Sequence, residues 1–217
     1  MSLTRASFMV IQSNEKSCVK LQKKIKQCAR LSKYIYKVQN DVLINETKNE
    51  LIITIEGTDT LSNWIDNLSI GLKKNDIHKG FYRYSTQCIR KYNLIDVLKE
   101  NKKPLYICGH SLGAAAATVI LFKLAMYVQN IDCNLILFGS PKPGGKMFSQ
   151  EFAKRLPNVN VYNYQNPKDL VCQLPIFLGY SHINEEVFYI TNIYLFFYFL
   201  KNHNMDTYIN GIDLMCV

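Results

Sequence analysis

Residues 109–113 read Gly-His-Ser-Leu-Gly, a G-x-S-x-G pentapeptide between the apolar run Leu105–Cys108 and the alanines Ala114, Ala115, Ala116 and Ala117. Strand, tight turn and helix in that order form the setting in which such a serine becomes a nucleophile. The sharp turn exposes the hydroxyl at the top of a sheet, and the two glycines let strand and helix approach. The helix N-terminus then aims its amides at any oxyanion formed beside the serine. The alternative is an ordinary strand-to-helix turn. The chemistry therefore requires a base, an orienting acid and further oxyanion donors elsewhere in the chain.

In this architecture the acid and then the histidine follow the serine. Outside the helical pattern Lys146–Leu156, the later acids are Asp132, Asp169, Glu185, Glu186, Asp206 and Asp213. Asp169 lies in "NYQNPKDLVCQLP", just past the run Val159–Tyr164, in a loop with proline at both ends. Asp132 precedes an apolar run and belongs at the opposite rim. His78 comes before the serine, and His110 is its chain neighbour, expected to point elsewhere. His182 leads into the run Val187–Thr191 and is expected at the amino-end rim as a structurally satisfied residue. His203, in "KNHNMDTY", follows the last run and is favoured as the base by chain order and rim placement.

The elements that must hold these groups are legible as alternating patterns. Apolar runs occur at Asp41–Ile44, Leu51–Glu56, Leu105–Cys108, Asn134–Phe138, Val159–Tyr164 and Val187–Thr191. Helical spacing occupies Ser17–Tyr36, Gly80–Glu100, Leu112–Gln129 and Lys146–Leu156. Short unbroken apolar strands alternating with helices predict a largely parallel sheet covered on both faces. Sites in such sheets form at the carboxyl ends of strands, where Gly57, Gly109 and Gly139 stand. There are no repeats or low-complexity linkers, so residues 1–217 are expected to form one domain.

Composition narrows the partners. The formal charge is +9, and eight cations between Lys16 and Lys37 (Lys16, Lys20, Lys23, Lys24, Lys26, Arg30, Lys33, Lys37) have no acid among them. Leu21, Ile25, Cys28, Ala29, Ser32 and Ile35 share one face of that segment. It reads as a basic surface helix over about 16–37, with a membrane-surface contact as the second reading. No nucleic-acid-reading motif accompanies the charge. The seven cysteines form no C-x-x-C pair, which disfavours zinc and points to reduced, buried thiols. The N-terminus has no sustained apolar leader, and Ile193–Leu200 is too short to span a bilayer. The expectation is a soluble, intracellular protein, peripheral at lipid surfaces.

Five stretches, "TIEGTDTLSNWIDNL", "IHKGFY", "GHSLGAAAAT", "FGSPKPGG" and "NPKDLVCQLP", together resemble the class 3 lipases, alpha/beta hydrolases related to secreted fungal triacylglycerol lipases. The His203–Tyr208 segment and "YSHINEEVFYI" fit the pattern more loosely. The resemblance implies the α/β hydrolase fold and hydrolysis of lipid esters, most simply acylglycerols, with phospholipase or lysophospholipase action as alternatives and a non-catalytic lipid-binding protein as a further one. It implies Ser111 as nucleophile, Asp169 as orienting acid and His203 as base, with no metal or cofactor. It also implies an oxyanion hole from the amide of Leu112 and the amide and hydroxyl of Thr58. The segment Leu61–Leu68 matches the family's lid, with Leu61, Trp64, Ile65 and Leu68 on one stripe; a permanently packed core helix is the alternative. Two positions depart from the pattern: Glu56 stands where the family usually has arginine, and Ala114 where it has a second glycine.

Overall fold

The computed structural model describes residues 5–57, 76–176, 179–183, 187–190 and 202–214, with backbone alone for 5–17 and 214. A long helix α1 (Arg5–Val38) leads into strands β1 (Val42–Glu46) and β2 (Leu51–Ile55). Helices α2 (Lys79–Lys91) and α3 (Leu94–Glu100) follow, then β3 (Leu105–His110), α4 (Leu112–Leu124) and β4 (Cys133–Phe138). After β5 (Gly144–Gly145) and α5 (Lys146–Arg155) come β6 (Val159–Gln165), a 3-10 turn (Leu170–Gln173), β7 (Tyr180–Ser181), β8 (Val187–Tyr189) and α6 (Met205–Leu214).

Six strands form one sheet in the order β1-β2-β3-β4-β6-β8, parallel except for the antiparallel edge pair β1–β2. β2 is buried along its whole length, which requires cover on both faces. The side-chain period of two divides the strands between two cores. Ile53, Ile55, Leu105, Ile107, Leu135 and Leu137 face α2–α5. Ile52, Cys108, Ile136 and Phe138 face α1 and α6. Each fully buried aliphatic side chain contributes about 1.5–3 kcal/mol relative to exposure, so both layers are needed to hold the sheet.

The alanines give α4 a thin face. Ala114, Ala115, Ala116 and Ala117 are fully buried, and the helix packs directly on β2, β3 and β4. On the far side α1 runs from the amino-end rim, where Lys24 pairs with Glu50, toward the carboxyl-end rim, where Tyr36 meets His110.

Several expected bounds change. The segment Gly80–Glu100 is two helices, because Asn93 adopts φ 49°, ψ 40°, a left-handed conformation that asparagine tolerates and a helix interior does not. The helix after Ser111 ends at Leu124 rather than Gln129, and the first helix extends to Arg5–Val38. β3 runs two residues beyond Cys108, and β8 stops at Tyr189. Five cysteines (Cys28, Cys88, Cys108, Cys133, Cys172) are buried free thiols and Cys18 is exposed. Among the described residues no helix is long and apolar enough to cross a membrane.

Candidate active site

Ser111 sits at φ 58°, ψ −127° between β3 and α4. That conformation costs a non-glycine residue about 1–3 kcal/mol and survives only where its surroundings enforce it. Here the Ser111 amide donates to the Phe138 carbonyl of β4 at 3.0 Å, and the Ser111 carbonyl accepts from Ala114 and Ala115 at 3.0 and 3.3 Å. The flanking glycines have steric work. A Cβ on Gly109 would lie 2.5 Å from the Gly113 backbone, and one on Gly113 would lie 2.3 Å from the Ile55 carbonyl oxygen. The turn therefore closes only with glycine at both places. Leu112 opens α4, so its amide is among the first four that an α-helix leaves without an intrahelical partner.

Three side chains converge there. His203 Nε2 lies 2.7 Å from Ser111 Oγ, and His203 Nδ1 lies 2.7 Å from Asp169 Oδ2. With Nδ1–H donating to the carboxylate, Nε2 is the basic nitrogen and faces the serine hydroxyl. All three are buried: Ser111 is 1% exposed, Asp169 1% and His203 6%.

The acid is held on every side. Asp169 Oδ1 accepts the Val171 amide at 3.0 Å, capping the 3-10 turn, and Oδ2 accepts the Tyr208 hydroxyl at 2.5 Å. Asn166 organises the loop: its amide donates to the Tyr208 hydroxyl at 3.2 Å, and its Oδ1 accepts from Lys168 at 3.0 Å. Its Nδ2 reaches the Asn202 carbonyl at 3.1 Å, tying the acid loop to the residue before His203. Nearby Cys172 is an inert thiol, its pKa raised by burial and by Asp169.

His110 does not point away from the site, as its place in the chain suggested. Its Nε2–H donates to the backbone carbonyl of His203 at 2.7 Å, and the two rings lie 4.6 Å apart at 31°. A carbonyl only accepts, so His110 Nδ1 is the free acceptor and takes the Tyr36 hydroxyl at 2.9 Å. Burial, and secondarily His203, hold the His110 pKa well below its ordinary value, so the ring is neutral.

His182 lies elsewhere than expected. Its Nε2 is 3.0 Å from the Cys172 carbonyl and 3.1 Å from Gln165 Nε2, at the carboxyl end of β6. The short antiparallel pairing of β7 with β5 keeps residues 180–182 on that rim before β8 begins. Burial lowers its pKa to about 4. It is a satisfied structural residue on the site's own rim. Thr58 and the stripe Leu61, Trp64, Ile65 and Leu68 lie outside the described residues, as does Ile193–Leu200.

Sequence reasoning sets His110 aside and gives no role to Tyr36, Asn166 or Tyr208. Asn166 and Tyr208 stand inside segments that had drawn notice, three and five residues from Asp169 and His203. Tyr36 carries no local signal. Among the described residues, no group of three or more His, Cys, Asp or Glu is placed to hold a metal ion.

Comparison with known proteins adds four likenesses. The class 3 lipase family profile, Lipase (class 3), matches residues 52–178. The chain is 27% identical over 157 residues to the secreted mono- and diacylglycerol lipase 1 of Fusarium solani, covering 67% of this chain and 45% of that protein. It is 25% identical over 199 residues to phospholipase A1-II 1 of Oryza sativa subsp. indica, covering 76% of this chain and 50% of that one. The chain thus spans half or less of these curated relatives. In fold it is similar to the Rhizomucor miehei lipase in its propeptide complex, with TM-score 0.63, 19% identity, and coverage of 78% and 68% of the two chains.

Proposed function

The chain belongs to the class 3 lipase family, and from that premise we propose that it is a serine hydrolase of lipid carboxylic esters, acting on acylglycerols. The observation that carries this is the unbroken hydrogen-bonded line Ser111 Oγ, His203 Nε2, His203 Nδ1, Asp169 Oδ2, with both contacts at 2.7 Å. Ser111 Oγ attacks the ester carbonyl while His203 Nε2 takes its proton. The imidazolium returns that proton to the departing alcohol, and water attacks the acyl-enzyme by the same route. Asp169 keeps Nδ1 protonated and stabilises the imidazolium. The Leu112 amide, with the amide and hydroxyl of Thr58, serves the oxyanion. Every step uses the chain's own groups and water.

The resemblance to the family's lid assigns Leu61–Leu68 the role of a cover that turns its apolar stripe to lipid at an interface. Trp64 is the chain's only tryptophan, so its emission should shift on adding lipid vesicles. Peripheral contact with an anionic lipid surface is supported by α1, whose Lys20, Lys23, Arg30 and Lys37 are exposed beside Tyr34. Each such cation contributes about 1 kcal/mol at an anionic surface.

Phospholipase A1 action is the second reading, favoured by the rice relative's name and by the cationic ridge of α1. Hydrolysis of a matched panel of triacylglycerol, diacylglycerol and phosphatidylcholine, with fluorophosphonate labelling of Ser111, tests both. Labelling with acylglycerol turnover supports the first; labelling with release of sn-1 acyl chains from phospholipid alone supports the second. Absence of labelling contradicts both.

A further inference from the structure

Given the serine-hydrolase mechanism proposed above, we infer that Tyr36 and His110 are positioning residues for the base, so that α1 completes the site from behind. The family match begins at residue 52 and leaves α1 outside it.

His203 is useful only if its ring is held in line with both Ser111 and Asp169. Its backbone is anchored at two successive carbonyls. Asn166 Nδ2 donates to the Asn202 carbonyl at 3.1 Å, and His110 Nε2 donates to the His203 carbonyl at 2.7 Å. Together these fix the peptides on both sides of the His203 Cα. His110 also lies against the His203 ring, 4.6 Å between centroids. A cation there would oppose the imidazolium that forms during catalysis; a neutral ring does not.

Tyr36 sets the His110 ring. Its hydroxyl donates to Nδ1 at 2.9 Å, which leaves the proton on Nε2, where the His203 carbonyl needs it. The same hydroxyl fills the space beside Gly57, where a Cβ would lie 2.1 Å from it. That close approach pins the hydroxyl between the end of β2 and His110. Tyr36 is in turn held by the inner face of α1, through buried Ser32 and Ile35 and by the pairs Lys26–Asp213 and Lys33–Asp206 that join α1 to α6, the helix following His203. A line of contacts therefore runs from α1 through Tyr36 and His110 to the base.

The test is kcat per fluorophosphonate-titrated site on a soluble p-nitrophenyl ester, for full-length wild type, Tyr36→Phe, His110→Phe, His110→Gln and the double variant Tyr36→Phe/His110→Phe. Counting titrated sites removes any loss that comes only from unfolded protein. We expect kcat per site to fall by at least about threefold for Tyr36→Phe and about 10- to 100-fold for His110→Phe, with KM within about twofold. His110→Gln, whose amide nitrogen restores the donor to the His203 carbonyl, should recover most of the His110→Phe loss. Tyr36→Phe should add nothing in the His110→Phe background, because it acts through that ring. A His110→Phe value within threefold of wild type overturns the inference. If His110→Phe does not fold, a Tyr36→Phe value within threefold of wild type overturns it instead. Wild type that fails to titrate overturns the underlying mechanism, a distinguishable result.

Discussion

Tyr208 and His203 share one acceptor: the Tyr208 hydroxyl at 2.5 Å and His203 Nδ1 at 2.7 Å both meet Oδ2 of Asp169. Both donors therefore converge on the carboxylate oxygen that faces His203. The tyrosine also accepts the Asn166 amide at 3.2 Å, so one hydroxyl links the acid, the acid loop and α6.

Removing that hydroxyl leaves a buried amide without its acceptor and a buried carboxylate short of a donor. Tyr208→Phe is therefore expected to lower unfolding free energy by about 1–3 kcal/mol, read by urea denaturation, and to lower kcat with KM held. Unchanged stability would mean that water or a shifted side chain replaces the hydroxyl.

Much of this site is legible because it is local. The pentapeptide around Ser111, the loop after β6 and the order of apolar runs are properties of short windows, and unbroken apolar runs alternating with helical spacing make the parallel sheet readable. Tyr36 is invisible for the opposite reason: it meets His110 across 74 residues, and nothing near either one signals the pairing. His182 was misplaced because β5 and β7 are two-residue strands containing Gly144, Gly145, Tyr180 and Ser181, without an apolar pattern to reveal them. The helix break at Asn93 depends on one left-handed residue, which helical periodicity passes over.

The strain at Ser111 has a measurable consequence. Alanine and serine suffer alike at φ 58°, ψ −127°, whereas glycine adopts it freely. Ser111→Gly should be inactive yet more stable than Ser111→Ala by about 1 kcal/mol, after subtracting glycine's chain-entropy cost of roughly 0.5–1 kcal/mol. Equal stabilities in thermal unfolding would show that the turn is relaxed.

Gly113 has no such freedom. Its Cβ would stand 2.3 Å from the Ile55 carbonyl oxygen and 2.8 Å from the Glu56 backbone, so α4 would have to lift from β2. Gly113→Ala should cost about 1–3 kcal/mol of stability and move the Leu112 amide, lowering kcat. A variant with wild-type stability and turnover would contradict the close approach described.

His182 predicts an acid limb. Its pKa is lowered to about 4 by burial, from an ordinary 6.5. Between those values the unfolded chain binds a proton that the folded one refuses. The stabilising term is present above pH 6.5 and is lost as pH falls toward 4, with a slope of about 1.4 kcal/mol per pH unit for one proton. His182→Gln should flatten the stability profile across that window and leave it unaltered above pH 7. An identical profile for both proteins would mean that His182 charges freely in the fold.

The central claim is that Ser111, His203 and Asp169 act as one catalytic unit. Its most direct measurement is hydrolysis of a soluble p-nitrophenyl ester by wild type, Ser111→Ala and His203→Ala, with thermal unfolding of each as the control for folding. Both variants should lose roughly 10^4- to 10^6-fold in kcat while keeping folded, cooperative transitions. A folded Ser111→Ala or His203→Ala protein that retains more than about a tenth of wild-type turnover would contradict it.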